Sequence, residues 1–120
     1  MIDRDMLRHY CLSQKGAVED YPFGPENAVY KVMGKMFALI PLESHLPVQV
    51  VVKCDPDLAL LLRQTYQGVQ GAWHFNKRHW NDVYANQDVP DDEVFEMIDH
   101  SYTLVVKGLT RAQKAALSAL

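Results

Sequence analysis

The sequence predicts an α+β fold, in which an antiparallel β-sheet with hairpin wings has its helices packed on one face. Three observations predict this class. The first residues of the chain have apolar side chains at the spacing of one helix face. Runs of β-branched and aromatic residues follow, and their connections are too short for a crossover helix. The second half contains two further segments with apolar residues at helical spacing. The chain has 120 residues, of which 48% are hydrophobic. We therefore expect one domain, residues 1–120, with its own core.

The first element is predicted to be a helix over residues 3–15. Leu7, Tyr10 and Cys11 follow the i, i+3, i+4 spacing of one helix face, and Asp3 can cap the N-terminus. Gly16 stands where a helix ends.

A β-hairpin is predicted next. Val29–Met33 and Met36–Ile40 are strand-like runs separated only by Gly34 and Lys35. Gly34 supplies the positive φ that the first central position of a type II′ turn requires, and Lys35 would then lie exposed at the tip. Val48–Lys53 is a third strand-like run that extends the sheet.

A second helix is predicted from Asp55, because a cap is followed by Pro56 at the first helical position. Its apolar stripe, ending near Gly68, contains Leu58, Leu61, Leu62 and Tyr66. Trp80–Tyr84 is predicted to be a short strand.

A long helix opens at Pro90 and is stopped by Gly108. Its apolar stripe contains Val94, Met97, Ile98, Ser101, Tyr102 and Val105. Thr110 and Gln113 form a capping box for a last short helix.

Charge and cysteine content exclude several classes of protein. Twelve Lys and Arg against fifteen Asp and Glu give a net charge of −3, which excludes a histone-like or tail-driven nucleic-acid binder. Asp3 and Asp5 stand where a signal peptide needs its apolar stretch, and no apolar run is long enough for a membrane span. Cys11 and Cys54 belong to no CxxC or Cys/His group. We expect a cytoplasmic protein with no membrane association and with two buried free cysteines.

The segment Trp73–Trp80 is the candidate functional region, because it surrounds a basic pair with aromatic and imidazole side chains. We call it the aromatic-basic segment. Its aromatic rings can stack on bases while Lys77 and Arg78 meet phosphates, as in single-strand or minor-groove binding. The alternative is that these rings fill a gap between a helix and the sheet.

Other chemistries have weaker sequence signals. His74 and His79 are five residues apart and lack a nearby carboxylate, so no metal site is predicted. The acids between Asp88 and Asp99 are predicted mainly to form a solvated helix face, and a weak site for a hard cation is the alternative. Neither a nucleophile elbow nor a phosphate-binding glycine loop occurs. We therefore expect a protein that is not an enzyme and that carries no cofactor.

The motifs together resemble the MmcQ/YjbR family over essentially the whole chain. They are the hairpin sequence Tyr30–Ala38, the leucine-rich helix after Asp55, the run His74–Trp80 and the pattern Asp99–Tyr102. The resemblance implies an α+β fold of the CyaY/frataxin type and a DNA-binding role through a double-wing motif, a pair of β-hairpins. The family's hairpin corresponds to Lys31–Phe37, and its second motif to Asn76, Lys77, His79 and Trp80, with Arg78 at a variable place.

The resulting hypothesis is a non-enzymatic DNA-binding protein, with a monomer favoured. Its interface would contain Lys35, Asn76, Lys77, Arg78, His79 and Trp80. The three basic side chains would neutralise phosphates, the amide and the imidazole would donate hydrogen bonds, and the indole would stack or brace the segment. The alternative is a module that binds a small anionic ligand or a protein partner through the same residues arranged as a cleft.

Overall fold

The computed structural model describes all 120 residues and contains four helices and six strands. The helices are α1 (Arg4–Ser13), α2 (Pro56–Thr65), α3 (Asp91–Lys107) and α4 (Arg111–Ser118). The strands are β1 (Ala17–Asp20), β2 (Asn27–Val32), β3 (Lys35–Pro41), β4 (Gln49–Lys53), β5 (Val69–Gly71) and β6 (Trp80–Tyr84). They form one antiparallel sheet in the order β1-β2-β3-β4-β6-β5, and this confirms the α+β class. None of the helices combines the length and the apolar character that crossing a membrane requires.

The main core lies between the sheet and the helices. Alternate residues of the strands point to this side and pack with residues of all four helices. Its fully buried members include Leu7, Cys11, Tyr30, Val32, Phe37, Ile40, Val50, Val83, Val94 and Ile98. The prediction that the helices cover one face is confirmed. Both cysteines are buried and free, as expected.

A second, smaller core lies on the opposite face of the sheet. Val29, Leu39 and Val51 pack there with Ala72, and Met36, Phe75 and Trp80 add partly buried surface. The covering residues come from the connection between β5 and β6. The aromatic-basic segment therefore lies over the face that the helices leave uncovered.

The hairpin turn differs by one residue from the prediction. Met33 and Gly34 have positive φ, 49° and 80°, which is the pattern of a type I′ turn. The prediction of a type II′ turn at Gly34 and Lys35 is wrong, because Lys35 is the first residue of β3 and pairs with Val32. A β-bulge then shifts the register by one residue, since β3 has Phe37 as an extra residue between the partners of Lys31 and Tyr30.

Ser101 ties α3 to the sheet at this bulge. Its hydroxyl donates to the Phe37 carbonyl at 2.6 Å and accepts from the Lys53 amide at 2.8 Å. The pairing of β3 with β4 ends at Ala38 and Val52. The hydroxyl thus takes the place of the next hydrogen bond of the ladder, and it does so from a fully buried position.

Helix boundaries follow their local signals. The Asp3 carboxylate accepts from the Met6 amide at 2.8 Å, and α4 begins with the predicted capping box of Thr110 and Gln113. Helix α3 has no side-chain cap, but acidic residues fill its first turn.

Two strands and one helix face depart from the prediction. β1 and β5 were not predicted, because the first ends in two acids and the second has three residues. On α2 the predicted burial of Leu61 is wrong, since its side chain is 57% exposed. Leu62 and Tyr66 of the predicted stripe do pack against the main core, and Ala59, which was not predicted, is fully buried.

Candidate functional site

The aromatic-basic segment is held in an ordered turn. The Asn76 side-chain oxygen accepts from the Arg78 amide at 3.0 Å. The Asn76 carbonyl accepts from the amides of His79 and Trp80, both at 3.0 Å. The His79 carbonyl accepts from the Cys54 amide at 2.7 Å and so joins the segment to the end of β4. Asn76 therefore shapes the turn with its oxygen.

Arg63 on α2 fixes the same segment from the side. Its Nε donates to the Asn81 side-chain oxygen at 2.7 Å, and its Nη2 donates to the carbonyls of Trp80, at 3.3 Å, and of Lys77. Asn81 is almost completely buried. Sequence reasoning missed Arg63, because an arginine in the last turn of a helix is ordinary and its partners are distant in sequence.

The aromatic side chains of the segment have different environments. Trp80 is half-buried and packs on Phe75, with ring centroids 5.5 Å apart. Trp73 is 76% exposed, and the Lys77 ammonium lies 4.9 Å from the centre of its indole ring. Arg78 is exposed. Trp80 thus packs on the sheet, whereas Trp73 and Lys77 form an outer edge.

A groove joins the hairpin to the aromatic-basic segment. It has a volume of about 350 Å³ and is lined by Lys35, Met36, Lys53, Trp80, Leu104, Val105 and Gly108. We call it the hairpin groove. It brings together two of the predicted interface residues, Lys35 and Trp80, and adds Lys53. Asn76, Lys77, Arg78 and His79 do not line it and lie in the turn that precedes Trp80.

Lys31 is already paired. Its ammonium lies 2.9 Å from the Asp20 carboxylate on the neighbouring strand, and this contact lowers the pKa of Asp20. The cations that line the groove are therefore Lys35 and Lys53, and this limits the positive charge that the hairpin can offer.

A second cavity, of about 400 Å³, lies on the face of the sheet that carries the smaller core. We call it the sheet pocket. Leu39, Val51 and Asp82 are among the sheet residues that line it, while Phe23 and Trp73 contribute from loops. The sequence analysis did not single out this pocket.

A third cavity, of about 300 Å³, lies between α2, α3 and the sheet. Two of its polar side chains have partners within the protein. Glu93 accepts from the Tyr66 hydroxyl at 2.6 Å, and His100 accepts from the Asp55 amide at 3.3 Å. Burial raises the pKa of the Cys54 thiol there to about 11, so this thiol is not activated as a nucleophile. No group of three or more His, Cys, Asp or Glu side chains could hold a metal ion.

Comparison with known proteins assigns the family. The family model YjbR matches residues 12–104, which contain the hairpin, the aromatic-basic segment and most of α3. The chain belongs to the YjbR family. Its similarity to the protein YjbR of Escherichia coli strain K12 is 32% identity over 111 residues, covering 92% of this chain and 93% of that protein. The protein YbdF of E. coli O157:H7 is 36% identical over 91 residues, covering 76% and 74%.

Solved structures with the YjbR-type fold agree with this assignment. The Deinococcus radiodurans protein DR2400, with its DUF419 domain, superposes with a TM-score of 0.87 at 33% identity, covering 95% of this chain and 86% of that chain. A Pseudomonas syringae protein superposes with a TM-score of 0.73 at 25% identity, covering 86% and 98%. The YjbR and YbdF relatives are named as uncharacterised proteins. The family therefore supplies the fold, and the function has to be argued from the residues.

Proposed function

We propose that this YjbR-family protein binds DNA without catalysing a reaction. The interface consists of the hairpin groove and the adjoining turn, with Lys35, Asn76, Lys77, Arg78, His79 and Trp80 as its residues and Lys53 as an addition. The observation that carries the proposal is that Lys35 and Lys53 flank the same groove as the half-buried Trp80. The β2–β3 hairpin and the β5–β6 connection serve as the two wings.

The roles of the side chains follow from their exposure. Lys35, Lys77 and Arg78 are exposed and neutralise phosphates. Asn76 uses its oxygen within the turn, so its amide nitrogen is the group that donates to the ligand. Trp80 braces the groove by packing on Phe75.

The acidic residues of α3 do not oppose phosphate binding in the hairpin groove, because the acidic end of that helix is far from the groove. Asp92 lies in the first turn of α3, and Val105 lines the groove near the other end. From residue 92 to residue 105 a helix rises about 20 Å, at about 1.5 Å per residue. Charges are screened over about 8 Å at physiological salt, so phosphates at the groove are affected mainly by Lys35 and Lys53.

The ordered turn lowers the entropy cost of binding. Arg63 and the backbone hydrogen bonds of Asn76 hold the segment before any ligand arrives. Side chains that are already placed lose less freedom on association. A preformed surface of this kind suits a ligand with a regular spacing of phosphates.

The proposal is for a monomeric, cytoplasmic, non-enzymatic protein. Burial raises the pKa of the Cys11 thiol to about 12 and that of Cys54 to about 11, so both thiols are protonated at neutral pH. Free, buried cysteines are common in proteins of the reducing cytoplasm.

The test is fluorescence anisotropy with labelled single-stranded and duplex DNA at several salt concentrations. Phosphate contacts predict a log-log slope of affinity against salt of roughly −2 to −5. The double variant Lys77→Ala/Arg78→Ala is expected to reduce the magnitude of this slope by about two. The matched control is Lys15→Ala/Lys114→Ala, which removes two exposed charges from helix-side positions. Absence of binding at low salt, or equal slopes in both double variants, contradicts the proposal.

A small anionic ligand in the hairpin groove is the second candidate. The groove is concave and has two lysines on its wall, which is a suitable site for one phosphate or carboxylate group. Inorganic phosphate is then expected to raise the melting temperature of the protein in a saturable way. The Lys35→Ala variant is expected to lose this rise, whereas a rise of equal size in that variant assigns it to a general salt effect and contradicts this candidate.

A further inference from the structure

The sheet pocket contains two polar atoms that the protein leaves without a partner. Oδ1 of Asp82 and Oε1 of Gln49 are shielded from solvent and make no hydrogen bond. Both residues line the pocket, and they lie on the neighbouring strands β6 and β4. Leaving a buried acceptor unpaired costs about 1–3 kcal/mol, so such atoms are rare in the interior of a protein.

The position of Asp82 makes its free oxygen more costly. Burial raises the pKa of this carboxyl to about 6, and the nearby Tyr84 phenol offsets part of the rise. At neutral pH the group is mainly ionised, and a carboxylate can only accept hydrogen bonds. The ligand that satisfies it must therefore present N–H or O–H donors.

The rest of the pocket is suited to a flat ring. Phe23 and Trp73 lie at its rim with 58% and 76% of their surface exposed. Phe75 and Leu39 add apolar surface inside. Large exposed aromatic side chains that border one cavity of about 400 Å³ are typical of a binding site.

The charges around the pocket favour a neutral ligand. The Lys77 ammonium lies over the ring of Trp73, which borders the pocket. A cationic ligand would meet this ammonium, and an anionic ligand would meet the buried carboxylate. A neutral ring with donors at one edge avoids both repulsions.

We infer that the sheet pocket binds a neutral planar heteroaromatic ring whose edge carries adjacent N–H donors. The guanine ring has this chemistry, since its N1–H and its amino group can both donate to one carboxylate. The ring can come from a free nucleoside or from an unpaired base of a single strand. This inference does not rest on phosphate binding by the hairpin groove.

The experiment is an NMR titration of the full chain with guanosine, inosine and thymidine. Guanosine is expected to give saturable shifts of the Trp73 indole N–H signal and of the Val51 amide. Inosine lacks the amino group and is expected to bind about tenfold more weakly, as the loss of one hydrogen bond to a charged group predicts. Thymidine presents a single donor between two acceptors and is expected to be weaker still.

Variants link the binding to the carboxylate. Asp82→Asn is expected to weaken guanosine binding about tenfold or more, because a charged acceptor is lost. Asp57→Asn, which changes an exposed carboxylate on α2, is the matched control and is expected to bind as the wild type does. The spectrum of each variant also shows whether its fold is retained.

A thymine oligonucleotide with one central guanine, compared with thymine alone, identifies the source of the ring. If the NMR signals of the pocket residues shift with guanosine but not with the guanine-bearing strand, the ligand is a free small molecule. If they shift only with the guanine-bearing strand, the ligand is an unpaired base. The absence of pocket shifts in both arms overturns the inference, as does equal binding by Asp82→Asn. If guanosine shifts the NMR signals of the pocket residues but the affinity for DNA does not depend on salt, the inference is supported and only the DNA-binding proposal is refuted.

Discussion

Replacing Asp82 by Asn changes the pH dependence of stability in a direction that the structure determines. An aspartate in an unfolded chain titrates near pKa 3.9, whereas burial in the sheet pocket raises the pKa of Asp82 to about 6. The folded protein therefore holds this proton more tightly than the unfolded chain does. Its contribution to stability is fully present below about pH 4 and is lost as the pH rises through 6.

The size of the effect follows from the two pKa values. A difference of about two units corresponds to about 2.7 kcal/mol, and partial access of solvent to the carboxyl lowers this to about 1–2 kcal/mol. For a chain of this length 1 kcal/mol is about 4 °C in melting temperature. Asp82→Asn has no such titration, so its stability relative to the wild type is expected to increase by that amount between pH 4 and pH 8.

Urea unfolding of both proteins at several pH values measures this difference. Ionisable groups distant from Asp82 are present in both proteins and largely cancel in the comparison. The control Asp57→Asn is expected to show a difference from the wild type that does not change with pH. If Asp82→Asn also differs from the wild type by a constant amount, Asp82 is not the buried carboxyl with one unpaired oxygen described here, and no donor-bearing ligand is needed to satisfy it.

Three further substitutions test the fold around the candidate sites. Ser101→Ala removes the hydroxyl that links β3 to β4 and leaves a buried carbonyl and an amide without partners. It is expected to lower the free energy of unfolding in urea by about 2–4 kcal/mol. A decrease below about 1 kcal/mol would mean that the two strands pair directly in the variant. Arg63→Ala is expected to increase hydrogen exchange of the backbone amides in residues 77–80. Arg63→Lys is expected to restore their protection only in part, since lysine lacks the forked donors of arginine. Unchanged exchange in both variants would mean that Arg63 does not hold this segment in place. Gly34→Ala is expected to lower the free energy of unfolding by about 1 kcal/mol, because φ is 80° at this position. The added methyl group meets no steric clash, since the space beside Gly34 is open. An unchanged stability would contradict the type I′ turn.

Most of the helices could be predicted because their signals are local. α3 has acids in its first turn, an apolar stripe with a helical period and a glycine stop, and each lies within the helix or next to it. The capping box of Thr110 and Gln113 is equally local. The hairpin register was harder, because the bulge at Phe37 depends on packing against α3 and on the Ser101 hydroxyl. Nothing within residues 29–40 carries that information.

The candidate site could be predicted only in part, for a similar reason. Residue types identified the aromatic-basic segment, but the sheet pocket depends on Gln49 and Asp82, which are distant in sequence and meet only when β4 pairs with β6. One signal was available. The strand Trp80–Tyr84 has the alternation of a half-buried strand, and Asp82 stands between two aromatic residues on one face of it. A carboxylate at such a position has to find a partner or leave its oxygens unpaired.

The main core and the candidate binding surfaces lie in different parts of the protein, so substitutions at these surfaces can test function without a large change in stability. The core that holds the protein together lies on the helix face, where Tyr30, Phe37 and Ile98 are fully buried. The other face is closed only in part, by the residues between β5 and β6; the sheet pocket lies on that face, and the hairpin groove lies where the sheet meets the C-terminal end of α3. Substitutions of exposed groups there, such as Lys77, remove little buried apolar surface and so change stability little. A loss of binding in such variants therefore reports on the interface itself.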